Sequence, residues 1–600
     1  MFLRKIKKPD GRIYLAIVES YQTVDKKIRS KTIQSLGYVD ALEKEYDDPI
    51  AHFTQVATQM TIEQRQNKKI HIEINLDAQL DENSFPRKNY GHLIASKIYH
   101  QLEIHDFLNN SRRNLNFDFN SESIMRLLVY NRLLYPSSKR NAHSRRKEFI
   151  DSYHFSLDDI YHSLDHFNDI SDKLQQHLHQ KMCADYQRST SLVYYDVTNY
   201  YFEIDQNDSD TFLVDDDGHF LLDSMGEPQM IDTGLRKKGA SKENKKTPIV
   251  QMGLFMDDKG LPMSYQLFEG NTHDSQTMLP MLSKIKKDFG VQRLIAVADK
   301  GLNSGDNIAY TSITKDGYIF SKSIRNASAE FKGWVTDDEN WLQIDDDRKI
   351  KSQVILNSKV HVTVGINDKT GKNKKKIIEV PQKFVVGYSA KYAKGSAKKR
   401  EDAMRKAKDM VNNPVKYNRI SDYGAAGYVK NLEFDKDTGE IKNTKQALVF
   451  DEDKVLEEAK YDGYYALVTS EIKMSDKKIM DVYKGLWRIE ESFKITKSTF
   501  NARPVFLQNK KRINSHFLVC FISLLIGRII EMKLDYRFTV DSIVKSMAKV
   551  SCSNVERNIW LFDHRDDITD ALNDAFGSNF GKKYMTLKDM KQFFAQSKKW

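Results

Sequence analysis

The sequence predicts a mixed α/β protein built from several domains, and three observations carry that expectation. At 600 residues the chain exceeds what one hydrophobic core organises, which points to roughly three to five domains. Runs rich in β-branched and aromatic residues at 191–201, 249–256, 261–268 and 294–298 read as strands, with a helical stretch at 275–288 before the last. Helical periodicity flanks this block, from about 88 to 185 and again beyond 483.

Composition narrows the class. Hydrophobic residues make up 40% and charged residues 30% of the chain, a soluble globular balance rather than a disordered one. A net charge of +11 favours a polyanionic partner, nucleic acid before an anionic membrane, although a merely basic protein would share it. The three cysteines, Cys183, Cys520 and Cys552, are scattered and form neither a disulfide framework nor a zinc pattern, which suits a reducing cytoplasm. The basic N-terminus has no apolar stretch of a secretory signal. Phe517 to Ile526 is too short for a membrane span and reads as a buried core helix, so no membrane partner is expected.

Residues 1–40 suggest a β-hairpin. Ile13, Leu15 and Ile17 alternate with Arg12, Tyr14 and Ala16, and a basic return arm follows the turn at 23–26. Lysines there protect a sheet edge or touch a DNA backbone. In the helical stretch, Ile124, Leu127, Leu128, Leu133 and Leu134 form the apolar positions, and Pro136 stops the helix. Arg140, Arg145, Arg146 and Lys147 follow as a basic stretch. Residues 203–247 read as a solvated loop, acidic first and basic afterwards. The turn acids Asp257 and Asp258 read as structural.

Two acids stand out. Asp196 interrupts the apolar run Ser191–Tyr201, a costly place for a carboxylate unless it is paired or holds a metal ion. Asp299 ends the strand 294–298 just before Gly301, the usual setting for a site residue in an α/β sheet. A third lies on the amphipathic stretch 483–497. There Leu486, Ile489 and Phe493 make the apolar stripe, and Glu490, Lys494 and Lys497 fall within roughly 40° of Tyr483 on an unbroken helix. A solvated face would also account for the two lysines. Between 320 and 470 a strand-rich stretch holds Trp334 and Trp341. Thirteen Lys or Arg face three acids over 372–408, so the positive charge is concentrated there. Such concentration serves contact with a DNA backbone, and a solvated helix over 397–410 explains part of it.

The element order (three strands, a helix, a fourth strand, then an acid on a later helix) resembles an RNase H-like fold. Three motifs carry a closer resemblance: Tyr194-Tyr195-Asp196-Val197-Thr198, Ala298-Asp299-Lys300-Gly301 and Trp487-Arg488-Ile489-Glu490-Glu491-Ser492-Phe493-Lys494. Together they are similar to the DDE transposases of bacterial insertion sequences, in the branch with a β-strand insertion before the glutamate. That branch carries a helix signature of tyrosine, two residues, arginine, three residues, glutamate, six residues and lysine. Tyr483, Glu490 and Lys497 match it. Leu486 stands at the arginine position, and Arg488 lies about 160° from Glu490 around a regular helix, a poor substitute.

The resemblance implies an RNase H-like catalytic core split by a β-rich insertion. The expected units are an N-terminal β-hairpin region (1–85), a helical DNA-binding module (86–185), the first part of the core (186–320), the basic insertion (321–470), the last part of the core (471–535) and a helical C-terminal region (536–600). Asp196, Asp299 and Glu490 would be catalytic and hold two Mg²⁺ or Mn²⁺ ions. Tyr483, Lys494, Lys497 and Arg488 would contact DNA, and Trp334 or Trp341 would stack on a base, although packing is the commoner use of a tryptophan. The activity implied is cleavage at terminal inverted repeats and joining of 3′-OH ends to target DNA, by a homodimer in the cytoplasm, associated with the nucleoid. The alternatives are an inactive DNA-binding derivative or a Mg²⁺-dependent nuclease of the same fold. Glu491, about 100° from Glu490, is expected to be solvated or secondary.

Overall fold

The run Leu192–Tyr201 forms the strand about which the main sheet is assembled. In the computed structural model, residues 1–22, 28–66, 76–77, 79–80, 82, 84–113, 118–224, 226–241, 246–366, 373–417, 423–433, 441, 448–556 and 558–598 are described. The chain divides into two units, Met1–Glu82 and Asn83–Trp600.

In the first unit the expected hairpin is an antiparallel sheet of three strands, Phe2–Lys7, Ile13–Gln22 and Ile28–Tyr38, followed by the helix Pro49–Gln66. The first strand was hidden because Arg4, Lys5 and Lys7 break its apolar pattern. The turn at 23–26 and Lys27 lie outside the described residues.

In the second unit the strands of the main sheet, in chain order, are β1 (Leu192–Tyr201), β2 (Ile249–Asp257), β3 (Pro262–Glu269), β4 (Ile295–Ala298), β5 (Gly317–Lys322), β6 (Leu342–Asp345), β7 (Arg348–Ile366), β8 (Asn373–Ser389) and β9 (Tyr464–Thr469). Their order across the sheet is β6-β7-β8-β9-β5-β4-β1-β2-β3. β1, β4 and β5 run parallel to one another, and the remaining neighbours are antiparallel. The helices that bear on the site are α1 (Ser121–Leu134), α2 (Asp274–Phe289), α3 (Asp476–Lys484), α4 (Trp487–Lys494) and α5 (Lys510–Lys533).

Alternation along the central strands gives the sheet two apolar faces. Val193, Tyr195, Val197, Ala296, Ala298, Tyr318 and Phe320 pack with Met278, Met281 and Leu282 of α2. Tyr194, Tyr200, Val297 and Ile319 face the other way, into the core that holds Ile489 and Phe493 of α4 and most of α5. The sheet is thus a middle layer between helices. α5 is the one described helix apolar and long enough to cross a membrane, and 94% of its apolar window is buried in the protein, as a core helix requires.

Three expectations need correction. β5 runs across the boundary expected at 320 and had no strand signal, because its apolar run is only Tyr318, Ile319 and Phe320, flanked by Gly317 and Ser321 between Asp316 and Lys322. The strands expected as a separate insertion are longer, and β7, β8 and β9 extend the same sheet, since β9 offers a free edge to β8 while its other edge pairs with β5. The tail contains strands Ser551–Glu556, Ile559–Phe562 and Tyr584–Thr586, which form a four-stranded sheet with Arg87–Asn89. Thr586 caps the last helix, its hydroxyl accepting from the Asp589 backbone amide at 3.2 Å.

The structural reading of the turn acids holds. Asp257 is fully buried and pairs with Arg188 at 2.8 Å, while its other oxygen accepts from the amides of Lys259 and Leu261. Most of the described residues of 203–247 are exposed, as expected, while Asp208 pairs with Arg236 and Asp210 with Lys237 at the base.

The segment after α1 is anchored by polar groups with no carboxylate among their bonds. Arg132 donates to the Phe500 carbonyl at 2.8 Å, and the buried Lys139 ammonium donates to Nδ1 of His516 at 2.9 Å. The opposite ring nitrogen of His516 lies 3.2 Å from the Ala502 carbonyl, which fits a proton on Nε2. Burial, with Arg132 adding to it, lowers the Lys139 pKa to about 7. The unfolded chain holds that proton up to about pH 10.4, so it binds more protons than the folded chain across this window and stability rises with pH there. The thermal midpoint of the wild type should climb between pH 7 and 9.5 relative to Lys139→Met, by the equivalent of up to about 1.4 kcal/mol per pH unit. Parallel curves for the two proteins would contradict this.

Candidate active site

The parallel register assembles the site. β4 pairs with β1 through Ile295 with Leu192, Ala296 with Val193 and Val297 with Tyr194, and the same offset carried two residues on sets Asp299 beside Asp196. β4 pairs with β5 through Ala298 and Phe320, so the next step sets Asp299 beside Ser321. Asp196, Asp299 and Ser321 therefore form one row across three neighbouring strands, with backbones about 4.8 Å apart. Their alternation partners Tyr194, Val297 and Ile319 all lie in the core shared with α4, so the row faces that helix.

Asp196 is half-buried and takes a hydrogen bond from the Val197 amide at 2.7 Å. Asp299 is exposed at the strand end. Its Oδ1 accepts from the Ser321 hydroxyl at 2.7 Å and from the Tyr483 hydroxyl at 3.3 Å. Burial raises the Tyr483 pKa well above its usual value, and the charges of Asp299 and Glu490 push the same way, so the phenol stays protonated and can donate. Ser321 escaped the sequence reading because it sits on the strand that reading missed. A hydroxyl one step past an apolar triplet was its only signal.

The acid helix is not the unbroken helix that the sequence suggested. Between α3 and α4 the amides of Gly485, Leu486, Arg488 and Ile489 bond to carbonyls three residues back, a tightened 3₁₀ turn. Residues Ile495–Thr499 then form a π-helical turn. Each change of winding shifts the angular position of every residue beyond it, while Glu490 stays near enough to Tyr483 for its charge to act on the phenol. Glu490 and Lys494 are exposed on α4, and Lys497 lies half-buried with its ammonium 5.4 Å from the Tyr200 ring. Gly485 explains how the turn reaches the sheet. A Cβ there would sit 2.0 Å from the Tyr194 hydroxyl, which itself donates to the Val482 carbonyl at 2.9 Å.

The residues around Glu490 divide by role. Leu486, at the position of the family arginine, is buried in the core. Arg488 donates to the Asp258 carbonyl at 2.8 Å and packs under Gly260, so it fastens α4 to the β2–β3 turn. Glu491 is no solvated bystander: it pairs with the buried Arg528 of α5 at 2.9 Å. Trp487, given no role by the sequence, is 55% exposed on the first turn of α4. Trp334 is half-buried, with its ring 5.5 Å from Phe331, and the Trp341 indole donates to the Asp337 carbonyl at 2.8 Å. Both of these tryptophans are engaged by packing within the chain.

Among the described residues no three His, Cys, Asp or Glu side chains are close enough to hold a metal ion as they stand. The row nonetheless supplies two carboxylates from adjacent strands, and Glu490 supplies a third from the helix packed over the same face. All are oxygen donors, the set that suits a hard divalent cation.

These features fit a class, a metal-dependent phosphoryl-transfer enzyme with one acid within a parallel strand, one at the end of its neighbour and one on the helix that covers them. Sequence comparison gives the family. The model of the transposase DDE domain matches residues 216–526, over half of the chain, and the model of the IS1634 family transposase N-terminal domain matches residues 3–69. The chain belongs to the DDE transposases of insertion sequences and is a transposase. Asp299 and Glu490 lie within the matched stretch, and Asp196 lies ahead of it. Among solved structures, the Mos1 transposase paired-end complex with left transposon end is similar at 9% identity, over 46% of this chain and 70% of that one, with a TM-score of 0.14. No curated protein matches the sequence.

The fastening of α4 is testable. Arg528→Met would leave Glu491 and Glu531 without their shared partner and should destabilise the second unit by about 3 kcal/mol. A lower denaturant midpoint and faster amide exchange over 487–494 are expected, and an unchanged midpoint would refute the assignment.

Proposed function

We propose that the second unit is an RNase H-like catalytic core in which Asp196, Asp299 and Glu490 are the catalytic acids. The strand order β3-β2-β1-β4-β5, with β2 antiparallel to both of its neighbours and β1, β4 and β5 parallel, supports that reading. The single observation that carries it is the register row: strands far apart in sequence bring Asp196 and Asp299 side by side, on the face covered by the helix of Glu490.

The three carboxylates would hold divalent cations, two Mg²⁺ or Mn²⁺ ions. Bound there, such ions supply charge neutralisation at the phosphate and activation of the attacking oxygen. The chain's own residues do the rest. The exposed Lys494, one turn beyond Glu490, and Lys497 on the π-helical turn bear on the phosphate backbone near the scissile bond. Arg488 and the two packed tryptophans, Trp334 and Trp341, have no DNA contact in this scheme. The partner is double-stranded DNA, first the terminal inverted repeats and then the target. Water attacks a phosphodiester at the element end and leaves a 3′-OH, and that hydroxyl attacks a target phosphodiester in turn. Two ends have to be joined, which suits a homodimer, and cytoplasmic work on the nucleoid suits the basic chain.

Purified protein incubated with terminal-repeat DNA and Mg²⁺ tests the acids. Asp196→Asn, Asp299→Asn and Glu490→Gln should each reduce strand cleavage at least about 10³-fold while still binding DNA. Cleavage at the wild-type rate by any of the three removes that residue from the site. Lys494→Ala should weaken binding to all DNA sequences alike and make the slope of log affinity against log salt shallower by about one. An unchanged slope would remove Lys494 from the backbone contact.

A further inference from the structure

We propose that Ser321 and Tyr483 are positioning residues that together hold Oδ1 of Asp299 and thereby present its other oxygen to the bound cation. The inference rests on the reading of Asp299 as a metal ligand and goes beyond it, because it assigns the two hydroxyls to the carboxylate and not to the cation.

Geometry carries the proposal. Both hydroxyls converge on one carboxylate oxygen, at 2.7 Å from Ser321 and 3.3 Å from Tyr483. They approach from different elements, β5 and α3. The carboxylate lies just past a strand, where the Asp299 carbonyl accepts from the Leu302 backbone amide at 3.0 Å, and the two hydroxyls hold its side chain. Ser321 is itself held. The Asn303 amide donates to the Ser321 carbonyl at 3.0 Å, which closes the turn 299–303 back onto β5. The Tyr483 end is held as well, since the α3–α4 turn is pressed on β1 through Gly485 and Tyr194. A carboxylate with one oxygen occupied by two donors has its other oxygen left to give. A free carboxylate would lose torsional entropy on binding, and this one has already lost it. Partners of this kind change metal affinity about 10- to 100-fold when removed.

The surroundings of Ser321 fit this role better than a merely structural one. Ser321 is half-buried near the end of β5 and its bond goes to the exposed Asp299, where a hydroxyl-to-carboxylate bond adds little stability. Its loss should be felt at the ion and hardly in the fold.

Mn²⁺ titration of the full-length protein, followed by the rise in its thermal midpoint without DNA, reads the effect independently of catalysis. Ser321→Ala should raise the apparent Mn²⁺ dissociation constant about 10-fold, with the metal-free midpoint unchanged within a degree or so. Ser321→Thr, which keeps the hydroxyl, should titrate like the wild type. Ser321→Ala combined with Tyr483→Phe should weaken Mn²⁺ further than either change alone. Asp299→Asn separates the ligand role from the positioning role. If it titrates like the wild type, or if the wild type shows no Mn²⁺ response, Asp299 is not the ligand and both readings fall. If Asp299→Asn loses the response while Ser321→Ala and the double variant keep wild-type affinity, the ligand reading stands and the positioning role is overturned.

Discussion

The buried guanidinium of Arg528 is the interaction on which the geometry of the site depends. It pairs with Glu531 at 2.6 Å on its own helix and with Glu491 at 2.9 Å on the acid helix, and it donates to the Ser492 hydroxyl and the Arg488 carbonyl as well. A cation this deep is tolerated because its donors are used in a planar fork that suits carboxylates and carbonyls. Its side chain is 5% exposed, so the pairing is little screened by solvent. The result is a fixed distance between the apolar α5 and the short α4. Without it, α4 would be held by the apolar contacts of Ile489 and Phe493 and by the single bond from Arg488 to the β2–β3 turn.

This explains why Glu490 and Glu491, adjacent and chemically alike, do opposite things. Glu491 turns inward to a partner that neutralises it. Glu490 is left at the surface beside the strand ends, its charge felt at Tyr483. Fixing one acid in the frame orients its neighbour outward. The same division appears at Arg488, whose long side chain reaches away from the site to fasten the helix.

Much of this was legible in the sequence. Asp196 was conspicuous as a carboxylate in an apolar run, Asp299 as a strand-terminal acid before a glycine, and Glu490 by its spacing from Tyr483 and Lys497. The strands of 191–201, 249–256, 261–268 and 294–298 carried strong β-branched and aromatic signals, and the structure has all four. The features that escaped it depend on long-range pairing or on local winding. β5 is an apolar triplet between Gly317 and Ser321, and it is a strand because β4 and β9 both pair with it. The 3₁₀ turn at Gly485 comes from contact with Tyr194, which no helical periodicity encodes. The role of Glu491 required knowing that Arg528 lies opposite.

The row Asp196, Asp299, Ser321 has a consequence for how such a chain can change over time. The pairing offset within three short strands must be preserved, because a slip of one residue would turn an acid to the wrong face. The path between those strands is free to lengthen. The excursion from 202 to 248, between β1 and β2, leaves and re-enters the sheet without altering that offset, and β7 and β8 extend the sheet beyond β9. Growth of new surface is thereby decoupled from the chemistry: added length at the loops leaves the row intact, while a single-residue deletion inside β1, β4 or β5 would break it.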